Sequence, residues 1–250
     1  MIHKRAILVA TGGIKTLISH MIVRISLRLS NAYLLKGQQP VLIDTGCPGE
    51  EKNIIRALDA HRYSLRDLRL IIHTHAHMDH AGSTAALTTL AGIPSLIHSR
   101  DYDQLLQGTN GTVKYHSFVG WFIYQFLLRN YPGAKADITF EKMIDLQDFG
   151  IEGKLVHTPG HTAGSCSVVM SNGEAVVGDL FIGGWLGGWI DPNWPTYHFF
   201  TEDKELVNRS IRKLLDMGVE KFHTGHGGPI NRKEVEQFLQ KAARKDAKAE

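Results

Sequence analysis

The chain is predicted to be an α/β protein in which two β-sheets are covered by helices. Two observations carry that expectation. Short apolar strands are followed by amphipathic helices, and the pattern occurs twice, on either side of residues 108–136. No Pro-, Gly- or Ser-rich linker divides the halves, so residues 1–250 are expected to form a single domain, with an apolar helical insertion at about 108–136.

The elements follow in order. Strands dominate residues 5–45, and Val41-Leu-Ile-Asp44 reads as a buried strand ending in the turn Thr45-Gly46. Glu51 to Ala60 reads as an amphipathic helix, because Ile54, Ile55 and Leu58 fall on one side. Leu68 to Ile72 is a short apolar strand, and the polar run from His73 to His80 is expected to be a loop. Ser83 to Ala91 is a helix closed by Gly92. A strand at Ser95–His98 and a helix at Asp101–Leu106 complete the first half. In the insertion, Phe118–Leu128 is apolar nearly all round and stops at Tyr131-Pro132-Gly133; it is too short to span a bilayer and reads as a buried helix or a cap over a pocket. The second half offers strands at Lys154–His157, Cys166–Met170 and Ala175–Val177, the last two flanking Ser171-Asn172-Gly173. An amphipathic helix over Glu202–Met217, a strand at Lys221–His223 and a charged helix at Lys233–Ala247 close the chain. Glycines 183, 184, 187 and 188 break regular helix in the aromatic segment 181–200.

Composition narrows the function. With 43% hydrophobic and 21% charged residues the chain is globular in type. Two cysteines in 250 residues exclude a disulfide-stapled scaffold. Residues 1–40 carry six cations and no acid, yet they alternate like strands, so a solvated strand face and a cytoplasmic location are expected. A net charge of +3 disfavours nucleic acid as a partner.

The 14 histidines matter for their placement. In His75-x-His77-x-Asp79-His80, alternate residues of an extended segment point the same way, so His75 and His77 can grip one ion. Asp79 and His80 follow at a turn and can face a second. Imidazole nitrogen and carboxylate oxygen are donors that zinc takes readily. Three Gly-bearing turns add His161 (Thr158-Pro-Gly-His-Thr), Asp179 (Gly178-Asp) and His226 (Gly225-His-Gly).

With Ile43-Asp44-Thr45-Gly46 these motifs, from about Asn31 to Pro229, make the chain resemble the metallo-β-lactamase-fold hydrolases. The resemblance implies an αββα sandwich of two mixed β-sheets flanked by helices, with a two-metal site. By position, His75, His77 and His161 would hold one divalent cation. Asp79, His80 and His226 would hold the other, and Asp179 would bridge them. Asp44 would support the ligand loop from behind. Zinc is the default metal, with iron or manganese as alternatives. Two cations lower the pKa of a bridging water, so hydroxide is available at neutral pH to attack a carbonyl or phosphoryl centre. Asp79 is placed to accept the nucleophile's proton.

Departures from subfamilies refine this. Only 24 residues follow His226, too few for the helical domain of a glyoxalase II. Acyl-homoserine lactonases carry tyrosine three residues after the bridging aspartate, where this chain has Ile182. Asp179 itself argues against a true β-lactamase. The expected activity is hydrolysis of a small-molecule ester, thioester or lactone with an apolar acyl part. A nucleic-acid-processing phosphodiesterase and an iron-dependent persulfide dioxygenase are the alternatives. Trp185, Trp189 and Trp121 are candidate pocket residues, and the insertion helix, with Trp121 and Phe122, is expected to cap the pocket or form a homodimer contact. His73, His223, His98, His157 and His198, together with both cysteines, are read as core, surface or supporting groups.

Overall fold

The computed structural model describes residues 21–37, 39–111, 114, 120, 122, 129–185 and 188–246. The first sheet has the order β1-β2-β3-β4-β5-β6, from Met21–Ser26, Asn31–Lys36, Val41–Ile43, Leu70–Ile72, Ser95–His98 and Ile138–Phe140. β1, β2 and β3 pair antiparallel, and β3 through β6 pair parallel. The parallel strands read as apolar runs because both of their faces are covered. Helices α1 (Glu51–Ala60) and α3 (Thr84–Ala91) follow β3 and β4 and cover one face; the short α2 (Met78–Ala81) lies between β4 and α3, and α4 (Tyr102–Gln107) follows β5.

The second sheet has the order β14-β13-β10-β9-β8-β7. In chain order these are β7 (Met143–Asp145), β8 (Gly153–His157), β9 (Cys166–Met170), β10 (Glu174–Gly178), β13 (Lys221–Thr224) and β14 (Ile230–Asn231). α5 (Lys204–Asp216) and α6 (Arg232–Asp246) cover its outer face, and β11 (Ile182–Trp185) pairs with β12 (Ile190–Thr196) as a separate hairpin.

Side-chain alternation sorts the strand residues into three apolar layers. Val41, Ile43, Leu70 and Ile72 meet Leu155, Val168 and Val176 between the sheets. Leu42 and Ile71 point the other way, onto Ile54, Leu58 and Leu87 of α1 and α3. Val169, Ala175 and Val177 pack outward on Val207, Ile211 and Leu214 of α5. The result is the expected αββα sandwich. Asp203 starts α5 by accepting the Leu206 N–H at 2.9 Å, and Gly92 closes α3 with φ +65°.

One sequence expectation is revised, and two features were not foreseen. The run from His73 to His80 is not all loop: Met78–Ala81 forms the single helical turn α2, with His77 as its N-cap. Segment 181–200 contains the β11–β12 hairpin, since glycine excludes helix more strongly than it excludes a bulged strand pair. β6 and β7 were not anticipated; three residues are too few to display a period. Trp121 and most of the Phe118–Leu128 segment lie outside the described residues, as do the strands expected over residues 5–20; Phe122 is half-exposed. Among the described residues no helix is long and apolar enough to cross a membrane.

Candidate metal centre

The site is built at the carboxyl ends of strands from both sheets, where the last peptide groups leave the ladders and turns can aim side chains into the gap between them. Asp44 ends β3, His73–His80 follows β4, His161 follows β8, Asp179 follows β10, and His226 follows β13. All seven sequence-identified donor residues converge there.

His161 Nε2 lies 3.2 Å from His75 Nε2 and 3.0 Å from His77 Nδ1. The edge of a zinc tetrahedron with metal–nitrogen bonds of ~2.05 Å is about 3.3 Å, so these three nitrogens stand at ligand spacing. The second group is Asp79, His80 and His226, with Asp79 Oδ2 3.8 Å from His80 Nε2 and 3.4 Å from His226 Nε2. Asp179 lies between the groups. Its Oδ2 is 4.0 Å from His75 Nε2, 3.7 Å from His161 Nε2 and 3.2 Å from His226 Nε2, and its Oδ1 is 3.4 Å from His80 Nε2.

The donor set fits cations. His80 Nε2, His226 Nε2 and Asp179 Oδ1 are buried without a hydrogen-bond partner, an arrangement that costs free energy unless something else engages them. Burial, the largest influence, holds His75 and His161 well below the usual histidine range, with repulsion among neighbouring rings adding to it; burial pushes His77 down to about 4. Those three rings are therefore neutral, as ligands must be. Burial also opposes charge on His80 and His226, but Asp179 and Asp79 overcome it. They hold His80 well above its usual value and His226 up to about 10. The excess negative charge at this end of the site is what a divalent cation would neutralise in place of protons.

Supporting residues fix the rings. Asp44 accepts from Thr74 N at 2.8 Å, from Thr74 Oγ1 at 2.7 Å and from His80 Nδ1 at 2.8 Å. Its backbone sits at φ +60°, which turns its carboxylate back under the ligand loop. The Leu29 carbonyl accepts from His226 Nδ1 at 2.7 Å, and Asn31 Nδ2 donates to the Thr224 and Gly227 carbonyls at 3.1 and 3.0 Å. Gly225 is required by close approach: a Cβ there would collide with Asp179 Oδ1 and stand 2.6 Å from His80 Cε1.

The chain belongs to the metallo-β-lactamase superfamily. The family profile described as Metallo-beta-lactamase superfamily matches residues 25–226, which include all seven donors. A probable metallo-hydrolase of Methanocaldococcus jannaschii is 27% identical over 79% of this chain and 87% of its own length. An N-acyl homoserine lactonase of a Bacillus species is 24% identical over 74% of each chain. Among solved structures, a β-lactamase from Chitinophaga pinensis superposes with a TM-score of 0.63 at 17% identity, covering 92% of this chain and 91% of that one, a likeness of fold. The protein is a metal-dependent hydrolase of this superfamily.

Two site residues were missed in the sequence. Asp101 is buried beneath the ligand loops, accepting from Thr162 Oγ1 at 2.7 Å and Gly164 N at 2.8 Å; burial raises its pKa to about 6. His198, read above as core or surface, sits at the centre with Nε2 3.3 Å from Asp179 Oδ2, and burial holds its pKa below the usual value. Its one visible signal was a lone histidine inside the aromatic run Tyr197-His-Phe-Phe. The remaining candidates stand outside these groups of donors. His223 pairs with Glu174 at 2.6 Å and His98 stacks on His157. Cys47 and Cys166 are free and buried. Trp185 forms a wall of an apolar pocket of about 420 Å³ with Trp194, Tyr197, Phe199 and Phe238, and Trp189 is 90% exposed.

Proposed function

We propose that this metallo-hydrolase is dinuclear and cleaves a carboxylic ester, thioester or lactone with an apolar acyl part. The observation that carries the reading is Asp179. Its two carboxylate oxygens face donors of both groups, which is the arrangement a shared bridging ligand needs. His75, His77 and His161 would hold one divalent cation, and Asp79, His80 and His226 the other. Zinc fits the nitrogen and oxygen donors.

Bound there, divalent cations would supply Lewis acidity, lowering the pKa of a water and polarising the scissile carbonyl. The chain's residues do the rest. His75, His77, His80 and His161 line the buried floor and exclude bulk water from it. Asp79 and His226 have the most exposed side chains of the seven, 13% and 10%, so substrate enters on their side. Asp79 there takes the proton of the attacking water at a carboxylate oxygen and returns it to the leaving group. Tyr197 and Phe199, the chain neighbours of His198, line an apolar pocket with Trp185 and Trp194, surface of the kind an acyl chain takes. The lactonase relative supports a lactone or ester carbonyl as the target.

A panel of thioesters, lactones, esters and phosphodiesters, assayed on zinc-loaded protein, tests the reading. Turnover of the carbonyl substrates, rising with acyl length, is expected. Turnover confined to bis(p-nitrophenyl) phosphate would replace it with a phosphodiesterase. Oxygen uptake on glutathione persulfide by iron-loaded protein would replace it with a dioxygenase.

A further inference from the structure

His198 lies close enough to two of the candidate donors to be read as a further metal ligand. Its ring nitrogen, a nitrogen of His161 and a carboxylate oxygen of Asp179 all lie within 4.8 Å of one another. Its ring packs edge-on to His161 with centroids 4.7 Å apart and lies 5.4 Å from the ring of His226. The hydrogen bonds at the far sides of the rings separate it from His75, His80 and His226.

A neutral imidazole has one protonated nitrogen and one lone pair, and the partner of one nitrogen decides which the other presents. His80 Nδ1 faces Asp44 Oδ2 at 2.8 Å, and His226 Nδ1 faces the Leu29 carbonyl at 2.7 Å. Both oxygens accept, so both Nδ1 atoms are protonated. His75 Nδ1 lies 3.1 Å from Thr74 Oγ1, whose own hydrogen is committed to Asp44 Oδ2, so this nitrogen donates as well. In their neutral form all three therefore turn an Nε2 lone pair inward, the arrangement a metal ligand needs. His198 is the reverse. The backbone N–H of Phe200 donates to its Nδ1 at 3.0 Å, so Nδ1 must keep its lone pair and the ring proton sits on Nε2. The inward nitrogen of His198 is a donor.

We propose that His198 binds no cation and instead presents an Nε2–H to an oxygen of the substrate, holding the negative charge that develops when its carbonyl is attacked. The position fits the task. Nε2 is 3.3 Å from Asp179 Oδ2 and the side chain is 9% exposed, so it sits beside the donors while still meeting the opening. The Phe200 N–H lies two residues away on the same turn and fixes the ring by local backbone geometry. A donor fixed before the reaction loses no freedom when the charge appears. The substrate part of this proposal rests on the carbonyl-hydrolase reading above; the tautomer and the absence of a metal bond do not.

The test uses metal-loaded protein with His198→Phe, which keeps the ring's shape without a donor, and His198→Gln, which restores an N–H. Three quantities are measured: zinc affinity by chelator competition, affinity for methylphosphonate as a tetrahedral oxyanion probe, and kcat and KM on the ester panel. In His198→Phe, zinc affinity is expected to stay within about threefold of wild type, since no ligand is lost. Methylphosphonate binding should weaken by about ten- to a hundredfold, the scale of a hydrogen bond to a charged group. On esters kcat should fall about 10²- to 10³-fold, as when one oxyanion donor is removed. His198→Gln should recover part of both losses. Nitrogen-15 spectra of histidine-labelled protein should report a protonated Nε2 for His198 and protonated Nδ1 atoms for His75, His80 and His226. A zinc affinity lowered tenfold or more, or a His198 ring protonated at Nδ1, would make it a ligand and overturn the proposal. Unchanged methylphosphonate binding would overturn it too. A wild-type protein inert toward every ester would refute the carbonyl reading alone, while the zinc, methylphosphonate and tautomer results still decide the role of His198.

Discussion

Asp44 joins the ligand loop to the far end of the site through one carboxylate, fixing both Thr74 and His80. Asp44→Ala is therefore expected to lower affinity for the cation at Asp79, His80 and His226 about 10- to 100-fold, the usual cost of losing a ligand's supporting partner. Chelator competition measures it, and unaltered affinity would remove Asp44 from the account. Protons give a second handle on the same group. His226 at about 10 and His80 well above its usual value are both protonated at pH 7 without metal. A cation must displace both, so apparent affinity should climb with pH by about tenfold per unit for each proton displaced. Calorimetry in two buffers of different ionisation heat should count about two protons released at pH 7; none would contradict the assignment. Residue by residue, the convergence of the seven candidate donors was legible because each sits in a short local motif, a His-x-His alternation or a Gly-bearing turn. His198 and Asp101 were not. Their partners Asp179 and Thr162 lie 19 and 61 residues away, and no local pattern joins them.

Element by element, the donors are aimed by the turn at the end of each strand. β13 runs parallel to β10, so the turns carrying Asp179 and His226 emerge side by side, and the Gly225 N–H donates to the Gly178 carbonyl at 2.7 Å to lock them. Gly225→Ala puts a methyl into that gap against Asp179 and His80. The variant is expected to hold about one zinc instead of two and to lose about 1–3 kcal/mol of stability, as overpacked sites do. Zinc analysis with a denaturant titration checks both, and a fully loaded variant of wild-type stability would show that the turn can open. Elements with strong periodicity were readable: α1 and α5 declare one apolar side, and the central strands are continuous apolar runs. β11 and β12 were not, because Gly183, Gly184, Pro192 and Pro195 hide a strand pair that a bulge makes irregular.

At the scale of the whole molecule, the candidate donors are drawn from both sheets. His75, His77, Asp79 and His80 follow a strand of the first sheet, while His161, Asp179 and His226 follow strands of the second. Cations bound across this junction favour the folded chain over the unfolded one, by about 4 kcal/mol at a thousandfold excess over Kd. Chelation should therefore lower Tm, and coincident melting of loaded and stripped protein would contradict the bridging arrangement. The stripped protein should also lose stability with rising pH. The contribution of protonated His226 is fully present below its ordinary 6.5 and disappears as pH passes about 10. The layered fold was legible because burial imposes alternation everywhere along the chain, whereas a site assembled across two sheets is visible only where its residues also repeat locally. The central claim is that Asp179 joins two cation sites in one centre, and zinc titration followed by elemental analysis tests it most directly. A plateau at two zinc ions per chain in the wild type, with weakened retention of the second in Asp179→Asn, is the predicted result; a wild-type plateau at one would contradict it.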